Sequence, residues 1–275
     1  MSGATVTAAL AGATRALAAV SDTARLDAEL LMAAALGCTR ETMLLARGGA
    51  AVPPGFAALI DRRLAHEPIA YILGERDFWT ITLAVTPAVL IPRADSETLI
   101  EAAIDRFGAR APATVLDLGT GSGALLLAAL AQWPQATGTG VDASAAALAV
   151  AADNAARLGL APRARFLHGD WDAACPARFD LLLCNPPYVE TDAALPPDVA
   201  RYEPAAALFA GVDGLDDYRR LAPLLPRMLA PGGVGCVEIG REQAAAVSAL
   251  FAAAGLGVSV RRDLAGHDRC LIVTG

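Results

Sequence analysis

A chain of 275 residues, 55% of them hydrophobic and with a formal net charge of −7, is long enough for one large or two moderate domains, each with its own core. Alanine spread through helical patterns supplies much of that apolar fraction, and no purely apolar stretch of about 18 residues occurs, which excludes a membrane-spanning helix. The negative charge repels a nucleic-acid backbone, and no basic stripe with interleaved aromatics offsets it.

The cysteines Cys38, Cys175, Cys184, Cys236 and Cys270 form no C-x-x-C pair, and their odd number argues against a disulfide framework. The histidines His66, His168 and His267 stand far apart, beside no cluster at ligand spacing, so no metal is expected. Residues 1–20 carry apolar runs, but Arg15 interrupts them and no basic leader precedes them. The expectation is a cytoplasmic protein that takes a small ligand or a protein partner, with neither nucleic acid nor membrane involved.

Residues 1–75 read as a small helical bundle. In SDTARLDAELLMAAALG the apolar residues Leu26, Leu30, Leu31 and Ala34 recur at helical spacing, Ser21 or Asp22 caps the start and Gly37 ends the helix. Phe78–Val85 is β-rich with partial alternation and is ended by Pro87, so residues 76–94 are expected to be a β-hairpin linker. From about residue 95 to 275 the pattern alternates. TVLDL, ATGTGVD, ARFLH, FDLLLC and VGCVEI are short apolar runs, and GALLLAALAQW and SAAALAVAADNAARLG are helical. This α/β pattern predicts a mostly parallel sheet covered on both faces. The last stretch, LGVSVRRDLAGHDRCLIVTG, holds two β-like runs with no helix between them, which predicts an antiparallel edge.

Candidate ligand residues fall at the strand ends. Asp117-Leu118-Gly119-Thr120-Gly121-Ser122-Gly123 lies between the first strand and first helix of the alternating region. Glycines there let the backbone turn sharply and approach a ligand, and the helix start offers N–H groups. Gly119, Gly121 and Ala124 also satisfy the loose dinucleotide pattern, so the loop alone fits a nicotinamide or flavin, or a tight turn with no ligand. Asp142 ends the second strand, where a carboxylate accepts ribose hydroxyls or merely caps a helix. Asp170 and Trp171 follow the third strand, placed to take an adenine amino group and flank its ring, although an indole there, taken alone, is more often core.

The fourth strand ends in Asn185-Pro186-Pro187-Tyr188. Prolines stop a strand by removing a donor, but a plain stop needs neither the asparagine nor the tyrosine. The series D-x-G-x-G-x-G, acid, GDW, NPPY resembles the class I S-adenosylmethionine-dependent methyltransferases, and NPPY resembles the members that methylate planar nitrogens. That resemblance implies a Rossmann-like sheet. It also implies that the Asn185 side-chain oxygen and the Pro186 carbonyl accept the two hydrogens of the target NH₂, with Tyr188 over the flat group.

Outside those motifs, the segments ARLDAELLMAAALG, EPIAYILGERDFW, VTPAVLIPRADSETLIE, RYEPAAALFAGVDGLDDYRRL and DLAGHDRCLI are similar to the peptide chain release factor glutamine methyltransferases (the PrmC/HemK family) over nearly the whole chain. The resemblance implies methyl transfer to the glutamine amide of a release factor's Gly-Gly-Gln loop, with the helical domain docking the factor. Carried over by position, Gly119, Thr120, Gly121, Ser122, Gly123, Asp142, Asp170, Trp171 and Asn185 bind the cofactor. Asn185, Pro186, Pro187 and Tyr188 hold the glutamine, and Arg93 lines the entrance. The family pattern is departed from at Ala94, where a proline usually follows IPR. A ribosomal-protein glutamine methyltransferase, a nucleic-acid adenine methyltransferase and a non-enzymatic binding module are the alternatives.

Overall fold

The computed structural model describes residues 5–46, 51–174 and 176–275, so Cys175 and residues 1–4 and 47–50 lie outside the described residues. The chain divides into two compact units: Met1–Gly74 with Leu195–Tyr202, and Glu75–Ala194 with Glu203–Gly275.

The first unit is helical, with α1 Val6–Leu17, α2 Ala24–Leu36, α3 Arg40–Leu45, α4 Phe56–Leu64 and α5 Ile69–Leu73. The side chains of Thr5 and Thr39 cap α1 and α3 by accepting from the N–H of Ala8 and Thr42. Gly37 ends α2 in the left-handed region at φ 66°, as its sequence predicts. The start and the inner face of α2 differ from expectation. Thr23 occupies the N-cap position, while the hydroxyls of Ser21 and Thr23 donate to Asp27. Ala28, Leu31 and Met32 turn inward, whereas Leu26 and Ala34 are exposed. The reason is charge pairing: buried Asp27 meets Arg63 at 2.9 Å, and buried Glu29 meets Arg25 and Arg40, so polar positions share the inner face. The helix α9 Pro197–Tyr202 belongs to this unit, and its Tyr202 hydroxyl donates to the Ala65 carbonyl at 3.0 Å.

The second unit opens with an antiparallel hairpin, β1 Glu75–Phe78 and β2 Ile81–Ala84. The β-hairpin expected in this region is present, and the β-rich run Phe78–Val85 holds the end of its first strand, the turn with Trp79 at φ 53°, and its second strand. There follow α6 Glu97–Phe107, β3 Thr114–Leu118, α7 Ala124–Gln132, β4 Thr137–Asp142, α8 Ala145–Arg157, β5 Ala164–His168 and β6 Phe179–Cys184. Beyond α9 come α10 Asp216–Leu221, α11 Leu225–Met228, β7 Leu229–Glu238, α12 Ala244–Ala253, β8 Gly257–Arg262 and β9 Asp268–Thr274.

The seven-stranded sheet has the order β5-β4-β3-β6-β7-β9-β8. Strands β3 to β7 pair in parallel, and β9 runs antiparallel to both β7 and β8. The period-2 alternation of strand side chains sorts the apolar run Leu181-Leu182-Leu183-Cys184 between two cores. Leu181 and Leu183 join Val115 under α6 and α7, while Leu182 and Cys184 join Leu116, Leu118 and the helices α10, α11 and α12. Among the described residues no helix is long and apolar enough to cross a membrane.

The hairpin is fastened by Asn154, a fully buried amide on α8. It accepts from Ala84 N–H at 2.7 Å and donates to the carbonyls of Ala84 and Ser122. Replacing Asn154 with Ala strands three backbone groups, so urea unfolding is expected to show a loss of about 1–3 kcal/mol. A change below about 0.5 kcal/mol would mean that water substitutes freely for the amide.

Candidate active site

The sheet order reverses direction at β3, which has β4 on one side and β6 on the other. A crevice opens at such a switch point beyond the carboxyl ends of the strands. Register makes the consequence specific. Leu118 pairs with Cys184 and Cys184 with Val237, so Gly119, Asn185 and Glu238 emerge side by side. Asp142 pairs with His168 on the other flank, two residues before Asp170.

A cavity of ≈ 520 Å³ lies over these ends, lined by Gly119, Thr120, Gly121, Ser122, Asp142, Asp170, Trp171, Asn185 and Pro187 among others. Of the residues singled out from sequence, Gly123, Pro186, Tyr188 and Arg93 are not in its lining. Gly123 caps α7. Pro186 is buried, and the Tyr188 ring packs against the second core with its hydroxyl on Glu238 at 3.3 Å. Arg93 is paired with the buried carboxylate of Glu203 at 2.5 Å, although its neighbour Pro92 does line the cavity.

The glycine loop is held from within. Gly119 and Thr120 N–H both donate to the Val141 carbonyl, Gly121 N–H to Asp142, and Gly123 N–H to Thr120. Gly119 has φ 71°, and a Cβ there would lie 3.3 Å from the Trp171 ring, so a side chain is barred by conformation and by space. These committed donors, together with a carboxylate beneath them, make a poor cradle for a pyrophosphate. That carboxylate is Asp117, 1% exposed. Its Oδ2 accepts from the Thr120 hydroxyl at 2.6 Å and from Leu126 N–H at 3.2 Å, taking one first-turn donor that sequence reasoning left for a ligand. Its Oδ1 is buried without a partner, and Asp117 lines the cavity. Burial pushes its carboxyl up to about 7, against the opposing bond from Thr120. An unpaired acceptor in a cavity wall suits a cationic group.

At the adenine-sized end, the Trp171 indole N–H donates to Asp217 at 2.9 Å. Arg220 bridges Asp217 and Asp170, so the indole is clamped from α10. Asp142 accepts from Gly121 and Ser144 N–H with separate oxygens, which aims the carboxylate and leaves further lone pairs. On the other flank Asn185 Nδ2 donates to the Ser96 hydroxyl at 3.3 Å, and Ser96 donates to Glu238 at 2.5 Å. Burial raises Glu238 to about 7, opposed by the Ser96 bond and the charge of Arg269. Among the described residues no cluster of three or more His, Cys, Asp or Glu could hold a metal.

Sequence reasoning missed Asp117, Ser96 and Glu238 as site groups. For the two acids a signal was present: a lone acid at or near the end of an otherwise apolar buried run, as in TVLDL and VGCVEI, must be paired or used, whereas nothing in the sequence marks Ser96.

Comparison with known proteins bears on the family of the chain. The PrmC N-terminal domain family matches residues 8–74 and the methyltransferase small domain family matches residues 95–201. A release factor glutamine methyltransferase of Rhodospirillum rubrum is 45% identical over 270 residues, covering 95% of this chain and 82% of its own. Another, of Bordetella pertussis, is 48% identical, covering 89% of this chain and 93% of its own. A ribosomal protein L11 methylase structure from Lactobacillus delbrueckii subsp. bulgaricus shares the fold, with TM-score 0.51 at 21% identity, covering 69% of this chain and 83% of that one. By the extent and level of these sequence identities, the chain belongs to the release factor glutamine methyltransferase family.

Proposed function

We propose that this protein is an S-adenosylmethionine-dependent methyltransferase acting on the side-chain amide nitrogen of the glutamine in the Gly-Gly-Gln loop of peptide chain release factors. The observation that carries the reading is the placement of Asn185 next to Gly119 at the switch point, within a cavity whose wall holds an unpaired Asp117 oxygen.

The residues present fit the cofactor. The orphaned Asp117 Oδ1 suits the ammonium of its methionyl part, the Asp142 carboxylate suits a ribose diol, and the clamped Trp171 supplies a face for adenine. When bound, the cofactor supplies a methyl group on a sulfonium, electrophilic without metal help. The remaining work falls to the chain. An amide nitrogen is a weak nucleophile because its lone pair is delocalised into the carbonyl. Asn185 Oδ1 and the Pro186 carbonyl accept its two hydrogens, which fixes the nitrogen and favours the positive charge that develops there. Pro187, in the cavity wall, borders the flat amide, and Tyr188 braces the loop from the core side through Glu238. Arg93 stands behind Pro92 at the entrance, and the helical unit docks the release factor.

The test is mass spectrometry of a release-factor peptide spanning Gly-Gly-Gln after incubation with the protein and labelled cofactor. One added methyl on the glutamine amide is expected. Label in DNA adenine or in a ribosomal protein instead would overturn the assignment. A second expected outcome concerns Asp142→Ala, which removes the diol acceptor and the brace on Gly121. The dissociation constant of S-adenosylmethionine, measured by calorimetry, should weaken by about 1–3 kcal/mol. An unchanged constant would reduce Asp142 to a helix-start cap.

A further inference from the structure

Beneath the NPPY loop runs a buried polar chain that the reaction just described does not use. Glu238, at the end of β7 and 1% exposed, accepts from Ser96 at 2.5 Å and from the Tyr188 hydroxyl at 3.3 Å. Ser96, 3% exposed and at the start of α6, in turn accepts from Asn185 Nδ2 at 3.3 Å. The backbone around these groups is also tied down. The Tyr218 hydroxyl donates to the Glu238 carbonyl at 2.9 Å, and Gln243 Nε2 donates to the Tyr188 carbonyl at 3.1 Å.

We propose that Ser96 and Glu238 are positioning residues that set which end of the Asn185 amide faces the cavity. The argument is one of hydrogen-bond polarity. Above about pH 7 Glu238 is ionised and only accepts, so Ser96 must spend its single hydrogen on it, as the 2.5 Å Ser96-to-Glu238 bond has it. The Ser96 oxygen then has only lone pairs to offer, and Asn185 can meet it only with its NH₂. The asparagine oxygen is thereby turned away from Ser96, where it can accept the hydrogens of a substrate amide. Reversed, the same side chain would present two donors to a group that is itself a double donor, and the two would repel. An asparagine alone has no preference of this kind, since its two ends are nearly the same size. The inference rests on Asn185 being the group that holds the glutamine amide.

The experiment measures kcat, KM for intact release factor, and S-adenosylhomocysteine affinity for Ser96→Ala, Ser96→Thr, Asn185→Ala and the Ser96→Ala/Asn185→Ala pair. Ser96→Ala is expected to lower kcat roughly 10- to 100-fold, as misplacement of a reacting group does, with KM and cofactor-product affinity near wild type. Ser96→Thr keeps the hydroxyl and should restore most of kcat. Because Ser96 acts through Asn185, adding Ser96→Ala to Asn185→Ala should cost nothing further, the signature of two residues in one chain of action. Wild-type kcat in Ser96→Ala, equal loss in Ser96→Thr, or additive losses in the pair would each overturn the proposal. Near-normal turnover in Asn185→Ala would overturn the underlying reading of that residue instead.

Discussion

Asn185→Ala should leave a folded protein that binds its cofactor and turns over roughly 30- to 900-fold more slowly, the rate equivalent of about 2–4 kcal/mol. That range is the loss found when one preorganised partner is removed from a developing charge. The side chain is half-buried at the cavity wall and is not part of either apolar core, so its truncation costs little stability. Asn185→Asp is the sharper probe. A carboxylate still accepts hydrogens, but it faces Ser96 with an acceptor and adds negative charge to a site that already holds Asp117 and Glu238. Cofactor affinity and rate should therefore change by different ratios in the two variants. Near-normal rates of glutamine methylation in Asn185→Ala, read by peptide mass spectrometry, would remove NPPY from the chemistry.

Asp117→Asn should produce two effects of opposite sign. The native carboxyl titrates at about 7 because burial disfavours its charge, whereas an unfolded aspartate titrates near 3.9. Between those values the native state keeps a proton that the unfolded chain has lost, so the stabilising contribution is full below about pH 4 and is lost as pH rises through 7. Glu238 adds a slope of the same sign. Asparagine removes the buried charge while its oxygen still accepts from Thr120 and Leu126. The ligand-free variant should accordingly be more stable than wild type at pH 8, with a shallower fall in Tm from pH 5 to 8. Binding goes the other way. If Oδ1 pairs with an ammonium, the variant should lose about 2–5 kcal/mol of S-adenosylmethionine affinity at pH 8. The gap between the two proteins should narrow as the wild-type carboxyl takes up its proton below pH 7. Equal affinity in wild type and variant at pH 8 would show that the unpaired oxygen is not a ligand contact.

Most of the fold was legible because its signals are local. A buried parallel strand is a short apolar run and a helix a longer periodic one, so the strands and helices from Thr114 to Arg157 follow from composition alone. The face of α2 was not legible, because it depends on Arg63 reaching Asp27 from 36 residues away. The hairpin turn at Trp79 was hidden for a related reason: the left-handed φ of a tryptophan is imposed by its surroundings, here by Glu97 accepting its N–H at 2.9 Å, and not by its own preference. In the site, motifs ending each strand announced Gly119, Asp142, Trp171 and Asn185, but the groups that aim them lie in unrelated stretches. Ser96 is 89 residues from Asn185 and Asp217 is 46 from Trp171, and no periodicity links such pairs.

The excursion of Leu195–Tyr202 into the helical unit has a consequence for cutting the protein apart. The chain crosses between the units three times, after Gly74, after Ala194 and after Tyr202, so the helical unit is a doubly threaded body and not a bead on one string. A protease nick at Gly74 would leave α9 still gripping the amino-terminal fragment. A gene truncated at that point would make a protein whose α9 has lost its bundle, on a short segment bounded by Tyr188 and Glu203. The loss of activity in such a truncation therefore reports on that orphaned segment as well as on the missing helices. Clean separation of the two units needs a second edit that replaces residues 195–202 with a polar bridge.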